Sequence, residues 1–508
     1  MTAAKSVATS LLLLFTCLVT FAQNSEQKKE KIEILNSDEV NIERDKVTGK
    51  DWYRLLGNVS LLHNEMTMLC DSAHFYPDKN SVNAYHNIHI EQGDTLHMYG
   101  NILTYEGTTE IAEMTGNVVL INKETFLYTN HGTYNLKTKI ANYTDSGRIV
   151  NKENILKSKR GIYYAAEDMI FFKDKVEITT PEYYITSDTM QYNTESEIVF
   201  FRGPTNMEGD SLLAFCEQGW YDTKNDIGAM SGEAMINNLK QIVRGDSIFY
   251  NDAIGQGESF GNISITDTTQ KIMVKGNYAW FNKEPEQFLV TDNAFLVQFS
   301  NNDSLFLRAD TLRSVMAGDT INPFRLMSAY YNCKIFRQDL QAKCDSIAYS
   351  FQDSVIRLYT APIIWSDENQ LTADSIALFT KNMEPDRLEL YNSAFVVSQV
   401  DSLRYNQIKG RDLIGYFQDN ELTRIYINGN GETIYYLIDG DALIGVNKAT
   451  SSTIEMLFEE GKIKDIFQYE PGGDIDPPLD IYDPSLHLDG FSWFDEQRPK
   501  SVEDIFKK

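Results

Sequence analysis

Two short motifs recur along this chain with one period and out of phase, and no other feature narrows the possible folds so far. The first is a polar anchor, then an apolar or small residue two later and usually an aromatic four later. Asp71-Ser72-Ala73-His74-Phe75, Asp188-Thr189-Met190-Gln191-Tyr192, Asp246-Ser247-Ile248-Phe249-Tyr250 and Asp345-Ser346-Ile347-Ala348-Tyr349 are its clearest copies. The anchors fall at Asp38, Asp71, Asn101, Asn130, Arg160, Asp188, Glu217, Asp246, Asn277, Asp310, Asp345, Asp374, Asp412 and Ser452. Between Asp71 and Asn277 each step is 28 to 31 residues; later steps lengthen to as many as 40, which reads as loop insertion. The second motif is Gly57-Asn58-Val59-Ser60-Leu61, repeated at Gly116-Asn117-Val118-Val119-Leu120 and Gly261-Asn262-Ile263-Ser264-Ile265. Weaker copies are His86-Asn87-Ile88-His89-Ile90 and Gly232-Glu233-Ala234-Met235-Ile236. Two independent motifs holding one period mark a repeat array.

Within a repeat the periodicity is two. Val59 and Leu61, Ile88 and Ile90, Ile263 and Ile265 alternate with other side chains, which places each pair on one face of a strand. Polar turns such as Asp78-Lys79-Asn80, Asp222-Thr223-Lys224-Asn225-Asp226 and Asp419-Asn420 bound the strands. One such unit cannot cover its own apolar face, so neighbours must stack. The expected fold is all-β: an elongated repeat array of stacked short strands, with a period of about 29–30 residues, over residues 23–470. The inward residues expected from the Gly-Asn-Val strand are Val59, Leu61, Ile88, Ile90, Val118, Leu120, Val176, Ile178, Ile263 and Ile265. From the anchor strand they are Phe75, Tyr105, Tyr134, Tyr164, Tyr192, Tyr221, Tyr250, Phe281 and Tyr349. Such faces are ordinarily a filled core.

The ends differ from the body. Lys5, the apolar stretch from Leu11 to about Phe21 and the small residues Thr20 and Ala22 read as a signal peptide, residues 1–22, that directs export. Residues 471–508 hold five of the 12 prolines and carry Phe491, Trp493 and Phe494 near the end; this tail is expected to cap the last repeat or to dock a partner. The charge balance, 46 basic against 73 acidic residues for a net of −27, excludes nucleic acid as a ligand. Twenty-eight Tyr, 27 Phe and 5 Trp exclude an acidic disordered chain.

At this point the residues resemble a family. A Gly-Asn-Val strand and an anchor with Tyr four later, repeated without helices behind a signal peptide, resemble the OstA-like family. That family comprises the periplasmic lipopolysaccharide-transport bridge and the organic solvent tolerance amino-terminal domain of the outer-membrane translocon. Gly415-Tyr416-Phe417-Gln418-Asp419-Asn420-Glu421-Leu422 and Asn428-Gly429-Asn430-Gly431-Glu432-Thr433-Ile434-Tyr435-Tyr436 are similar to the longer Bacteroidetes-type members. So is the ending Leu488-Asp489-Gly490-Phe491-Ser492-Trp493 with Arg498-Pro499. The resemblance implies a β-taco, or β-jelly-roll solenoid, whose two sheets form a groove for acyl chains. It implies a non-enzymatic lipid carrier or bridge in lipopolysaccharide transport and outer-membrane assembly, in the periplasm or associated with the outer membrane. The implied ligand is lipopolysaccharide or a lipid A-like glycolipid. The implied partners are other lipopolysaccharide-transport proteins of the inner and outer membrane, with head-to-tail self-association through open strand edges. The chain departs from the family's pattern in having many more repeats than the short bridge protein and no long strand-rich barrel after them. Two readings stand beside this one: a structural or adhesive β-solenoid with a filled core, and a polysaccharide-active β-helix enzyme.

The residues themselves offer little other chemistry. The anchor carboxylates are mostly not neighbours and Arg160 shares their register, so corner hydrogen bonding to backbone N–H is expected of them rather than calcium binding. Six of the seven histidines (His63, His74, His86, His89, His97, His131) crowd one stretch, but His86 and His89 are expected to face opposite sides of a strand, and no metal site or cofactor is expected. Cys70, Cys216 and Cys344 each precede an anchor and read as small buried residues; Cys333 with Cys344 is the one pair close enough in sequence to join in an oxidising compartment.

Overall fold

The computed structural model describes residues 31–507 apart from 270, 300–303, 320, 382–383, 419–420, 440–441, 460–461, 472–482 and 484–485. The expected signal peptide, the Asp419-Asn420 turn and the Pro477-Pro478 pair lie outside the described residues. The structure is all-β, with three short 3-10 turns beside its strands. No helix among the described residues is long and apolar enough to cross a membrane. The chain divides into two compact units, one of residues Met1–Lys123 with Asn130–Lys139 and one of Glu124–Thr129 with Ile140–Lys508.

In the first unit the strands follow one another as antiparallel neighbours. They are β1 (Glu33–Asn36), β2 (Glu39–Arg44), β3 (Asp51–His63), β4 (Met66–Tyr76), β5 (Ser81–Gln92), β6 (Leu96–Glu106) and β7 (Ile111–Asn122). β1 and β2 both pair with β3, one along each half. From β3 to β7 each strand pairs with the next. One repeat of about 29 residues is therefore two long strands, out and back, at about 3.4 Å per residue.

Every pass carries a discontinuity near its middle. β3 shifts register between Leu56 and Val59 against β4, and β5 shifts between Tyr85 and Ile88 against β6. The skipped residues have left-handed backbone: Gly57 and Asn58, His86 and Asn87, Gly116 and Asn117 all have positive φ. The second unit repeats the device at Asp174-Lys175, Gly232-Glu233, Gly261-Asn262, Tyr331-Asn332 and Gly429-Asn430. Elsewhere in that unit a pass is split at the same place into two short strands, as with Asn154–Ser158 and Arg160–Tyr164. A bulge of this kind bends a strand and strengthens its twist, so the Gly-Asn motif and its counterparts form the corner on alternate passes, with the anchors on the passes between.

The anchors stand beside these corners. Asp38 N–H donates to the Gly57 carbonyl at 3.0 Å, and the Asn58 side-chain amide donates to Asp38 Oδ2 at 2.8 Å. Asn87 donates in the same way to Asp71 at 2.8 Å, Asn262 to Asp246 at 3.0 Å and Asn332 to Asp310 at 2.8 Å. Where the anchor is Arg160, the corner carries Asp174 instead of glycine, and the two form an ion pair. The anchor carboxylates were expected to accept from backbone N–H groups; for these four the donor is the asparagine amide, and Asp412, accepting from Asn392 N–H at 3.2 Å, follows the expected pattern. The two motifs keep one period because each is half of the same polar contact.

The tail in the second unit runs back across a sheet face. Gln407 donates to the Leu486 carbonyl and accepts from Leu488 N–H at 2.8 Å. Gln370 donates to the Ser492 carbonyl at 2.8 Å and accepts from Phe494 N–H at 2.6 Å. Arg498 donates to Gln341 Oε1 at 2.7 Å. Gln341 lies opposite Trp365, Trp365 opposite Gln370, Gln370 opposite Val397 and Val397 opposite Gln407, so these residues form one row across five strands. Leu488 joins Phe395, Val397, Ile434 and Tyr436 in a buried apolar cluster, with Phe491 and Trp493 against it. The tail is thus a cover on a face, held by Gln370 and Gln407, which pair with its backbone as a neighbouring strand would, and by Gln341 through the Arg498 side chain.

Candidate functional site

The inward positions alternate along each pass as the sequence pattern requires. In β3 the buried residues are Leu55, Val59, Leu61 and His63; in β5 they are Val82, Ala84, Ile88 and Ile90, with Ser81 at its start. Val118, Leu120 and Tyr134 continue the interior of the first unit, with Phe75 and Tyr105. In the second unit Val176, Ile178, Tyr192, Tyr221, Ile263 and Ile265 are buried. Tyr164, Tyr250, Phe281 and Tyr349 are only half-buried. In strand Arg160–Tyr164 the inward place belongs to Tyr163, because Gly161 and Tyr163 alternate with exposed Ile162. The Tyr163-Tyr164 pair offers two aromatics, and the sequence alone does not say which parity is inward. Tyr143, Phe172, Phe201 and Trp365 also fill the interior or its covered faces without belonging to either motif.

Buried tyrosines need partners for their hydroxyls, and polar residues at the strand ends supply them. Tyr105 Oη lies 2.6 Å from His63 Nδ1. Tyr192 donates to Asn151 Oδ1 at 2.8 Å and accepts from Asn154 at 3.1 Å. Tyr221 donates to Asp226 at 2.9 Å, and Tyr183 donates to Asp252 at 2.6 Å. Burial pushes the Tyr143 hydroxyl up to about 12 and also raises Tyr105, Tyr183, Tyr192 and Tyr221, the carboxylates adding to the rise at Tyr183 and Tyr221. In each unit the inward faces therefore combine aliphatic side chains with buried aromatics, and the named tyrosine hydroxyls are bonded to polar side chains.

The second unit has a small cleft of about 20 Å³, open to solvent, lined by Ile265, Ile272, Val274, Phe288 and Met327 with Gln241, Asp267 and Arg325. Glu286 holds Arg325 at 2.5 Å and accepts from Gln241 at 2.8 Å. The Arg325 guanidinium is therefore already paired where it borders the apolar floor of the cleft.

The cysteines of the described chain are buried free thiols. Burial raises the Cys70 thiol to about 11 and the Cys216 thiol to about 12, which makes both inert small residues. Cys333 and Cys344 stand directly opposite each other on neighbouring strands.

Comparison with known proteins bears on the first part of the chain. Residues 29–188 match the family model described as OstA-like protein. No curated protein matches. One solved structure that matches is LptH, the LptA-homologous periplasmic component of the conserved lipopolysaccharide transport device from Pseudomonas aeruginosa. It is 17% identical, covers 23% of this chain and 81% of its own, and superposes with a TM-score of 0.20, too low to carry the fold, which stands on the strand registers above. Residues 29–188, which hold β1 to β7 and the first corners of the second unit, are an OstA-like domain.

Proposed function

We propose that this chain is a non-enzymatic carrier of lipopolysaccharide or a lipid A-like glycolipid. It would shield acyl chains between inward strand faces in the periplasm and take part in outer-membrane assembly. The observation that carries the reading is the OstA-like match over residues 29–188, within which Val59, Leu61, Ile88, Ile90, Val118, Leu120, Val176 and Ile178 share one inward register. The same corners and alternation continue through Ile263 and Ile265.

Partners in this reading are other lipopolysaccharide-transport proteins and a second copy of the chain. β1 and β2 suit such joining: both are exposed, and Ile34, Val40 and Ile42 show apolar surface beside the outer edge. A second reading, a structural array with a filled core, is favoured by the complete burial of Leu61, Ile90, Ile178 and Tyr192 within the protein itself, each at 0% exposure.

A photoreactive amino acid at Met327 or Ile265, compared with one at outward Tyr99, separates the two. The carrier requires cross-links to glycolipid in cells at the cleft positions and none at Tyr99, and Ile263→Asp should lower them in a protein that still folds. A folded protein with no lipid adduct at either cleft position, and no lipid in mass spectra of the purified material, would leave the filled core as the function.

A further inference from the structure

We propose that the outward face of the β5–β6 hairpin is a transition-metal site, of the class that takes zinc, formed by His89, Glu91 and His97. The hairpin register sets Glu91 directly opposite His97, and His89 lies two residues before Glu91 on the same face. His89 and His97 are eight residues apart, joined by the turn at Gly93-Asp94-Thr95, so their meeting depends on the strand register and not on local spacing. Sequence reasoning paired His86 with His89 and so set the histidines aside; the partner that reaches His89 comes from the next strand.

The three donor atoms are mutually placed as one ion requires. His89 Nε2 is 3.2 Å from His97 Nδ1 and 3.5 Å from Glu91 Oε1, and His97 Nδ1 is 3.7 Å from Glu91 Oε1. Ligands about 2.0–2.1 Å from a tetrahedral zinc ion stand about 3.3–3.4 Å apart. The observed edges bracket that value, and small ring rotations bring all three donors onto one centre. In this structure the two ring nitrogens face each other within hydrogen-bond reach, an arrangement that needs one protonated and one bare nitrogen; a cation takes that proton's place and engages the carboxylate as well. Tyr99 stacks on the His89 ring at 4.4 Å and 9°, which limits how far that ring can turn.

The donor set selects the ion class. Two imidazoles and one carboxylate suit zinc, whereas calcium and magnesium need six or more oxygen ligands. The side chains are 21%, 43% and 30% exposed, so an ion can enter and a fourth position faces solvent for water. Bound there, the ion ties the ends of two neighbouring strands in the domain's first unit.

The test uses the full mature chain. Isothermal titration with zinc should give one site per chain, weakened at least tenfold by His89→Ala and by His97→Ala and unchanged by His131→Ala. Zinc should raise the thermal midpoint of the native protein and not that of His97→Ala, since an ion that binds only the folded state stabilises it by mass action. Cobalt(II) should give tetrahedral visible bands that zinc displaces. Glu91→Gln keeps the side chain's shape and should also weaken zinc, which preserves the test should an alanine variant fail to fold. No binding by the native chain, or undiminished binding by a folded His89→Ala/His97→Ala protein, would overturn the site.

Discussion

Replacing Gly261 with alanine isolates the physics of the corners. Gly261 has φ +69°, and a Cβ there would sit 2.2 Å from Asp246 Oδ2 and 2.8 Å from Asp246 Cγ. Two costs follow. A left-handed backbone at alanine costs about 1–2 kcal/mol. The Asp246 carboxylate must also turn away, which breaks its 3.0 Å contact with the Asn262 amide and forfeits about 1 kcal/mol more. The substitution should therefore cost about 2–3 kcal/mol in all. In an Asp246→Ala background the clash and the contact are both absent, and only the backbone cost of about 1–2 kcal/mol should remain. The coupling between the two sites, about 1 kcal/mol, is what the corner pair contributes beyond backbone geometry. Repeat arrays open locally, so a global midpoint would dilute the effect. Hydrogen exchange of amides in Gln241–Asn251 and Gln256–Asp267 reads it directly. Equal losses of protection in the two backgrounds would show that Asp246 does nothing at the corner. A Gly261→Ala protein as protected as the native one would refute the backbone argument as well.

Two further outcomes follow from covered groups. Removing residues 486–508 should strip the cover from Trp365, now 0% exposed, so that tryptophan emission shifts to the red and the second unit loses about 3 kcal/mol or more; unchanged emission would mean the tail does not hold that face. The Tyr143 hydroxyl, raised by burial from 10 to about 12, favours the folded state fully below pH 10, and that stability is lost as pH rises toward 12; Tyr143→Phe should flatten the fall in circular-dichroism-monitored stability over that window, and an unaltered profile would remove Tyr143 from the alkaline transition.

The strand class, the period and most inward positions were legible because alternation and a recurring turn chemistry are local properties. Val59, Leu61, Ile88 and Ile90 needed only a period of two. What the anchors hold was half legible: a polar residue at a corner is expected to bond something, but that Asn58 reaches Asp38 depends on a register between strands. The same limit explains Tyr163 over Tyr164 in a short split strand, and His97 as the neighbour of His89. The tail's destination was least legible. Gln370 and Gln407 bind its backbone and Gln341 accepts from its Arg498 side chain, yet they come from three distant strands whose alignment no sequence spacing records.

The division of labour between corners and interior gives the architecture its tolerance. The bend of each pass is set by left-handed backbone and a polar pair at the surface, as with Gly57, Asn58 and Asp38, and an ion pair does the same work at Arg160 and Asp174. The inward side chains are then free to vary among Val, Ile, Leu, Tyr and Phe, since curvature does not depend on how they interdigitate. A filled core gains most from close complementarity between particular side chains. A surface that must accept acyl chains of no fixed conformation gains instead from a frame that keeps its shape when the interior contents change. The contacts that determine shape thus lie on the polar corner, away from the apolar face, so the frame and its contents can be altered independently, as Gly261→Ala and Ile263→Asp would do.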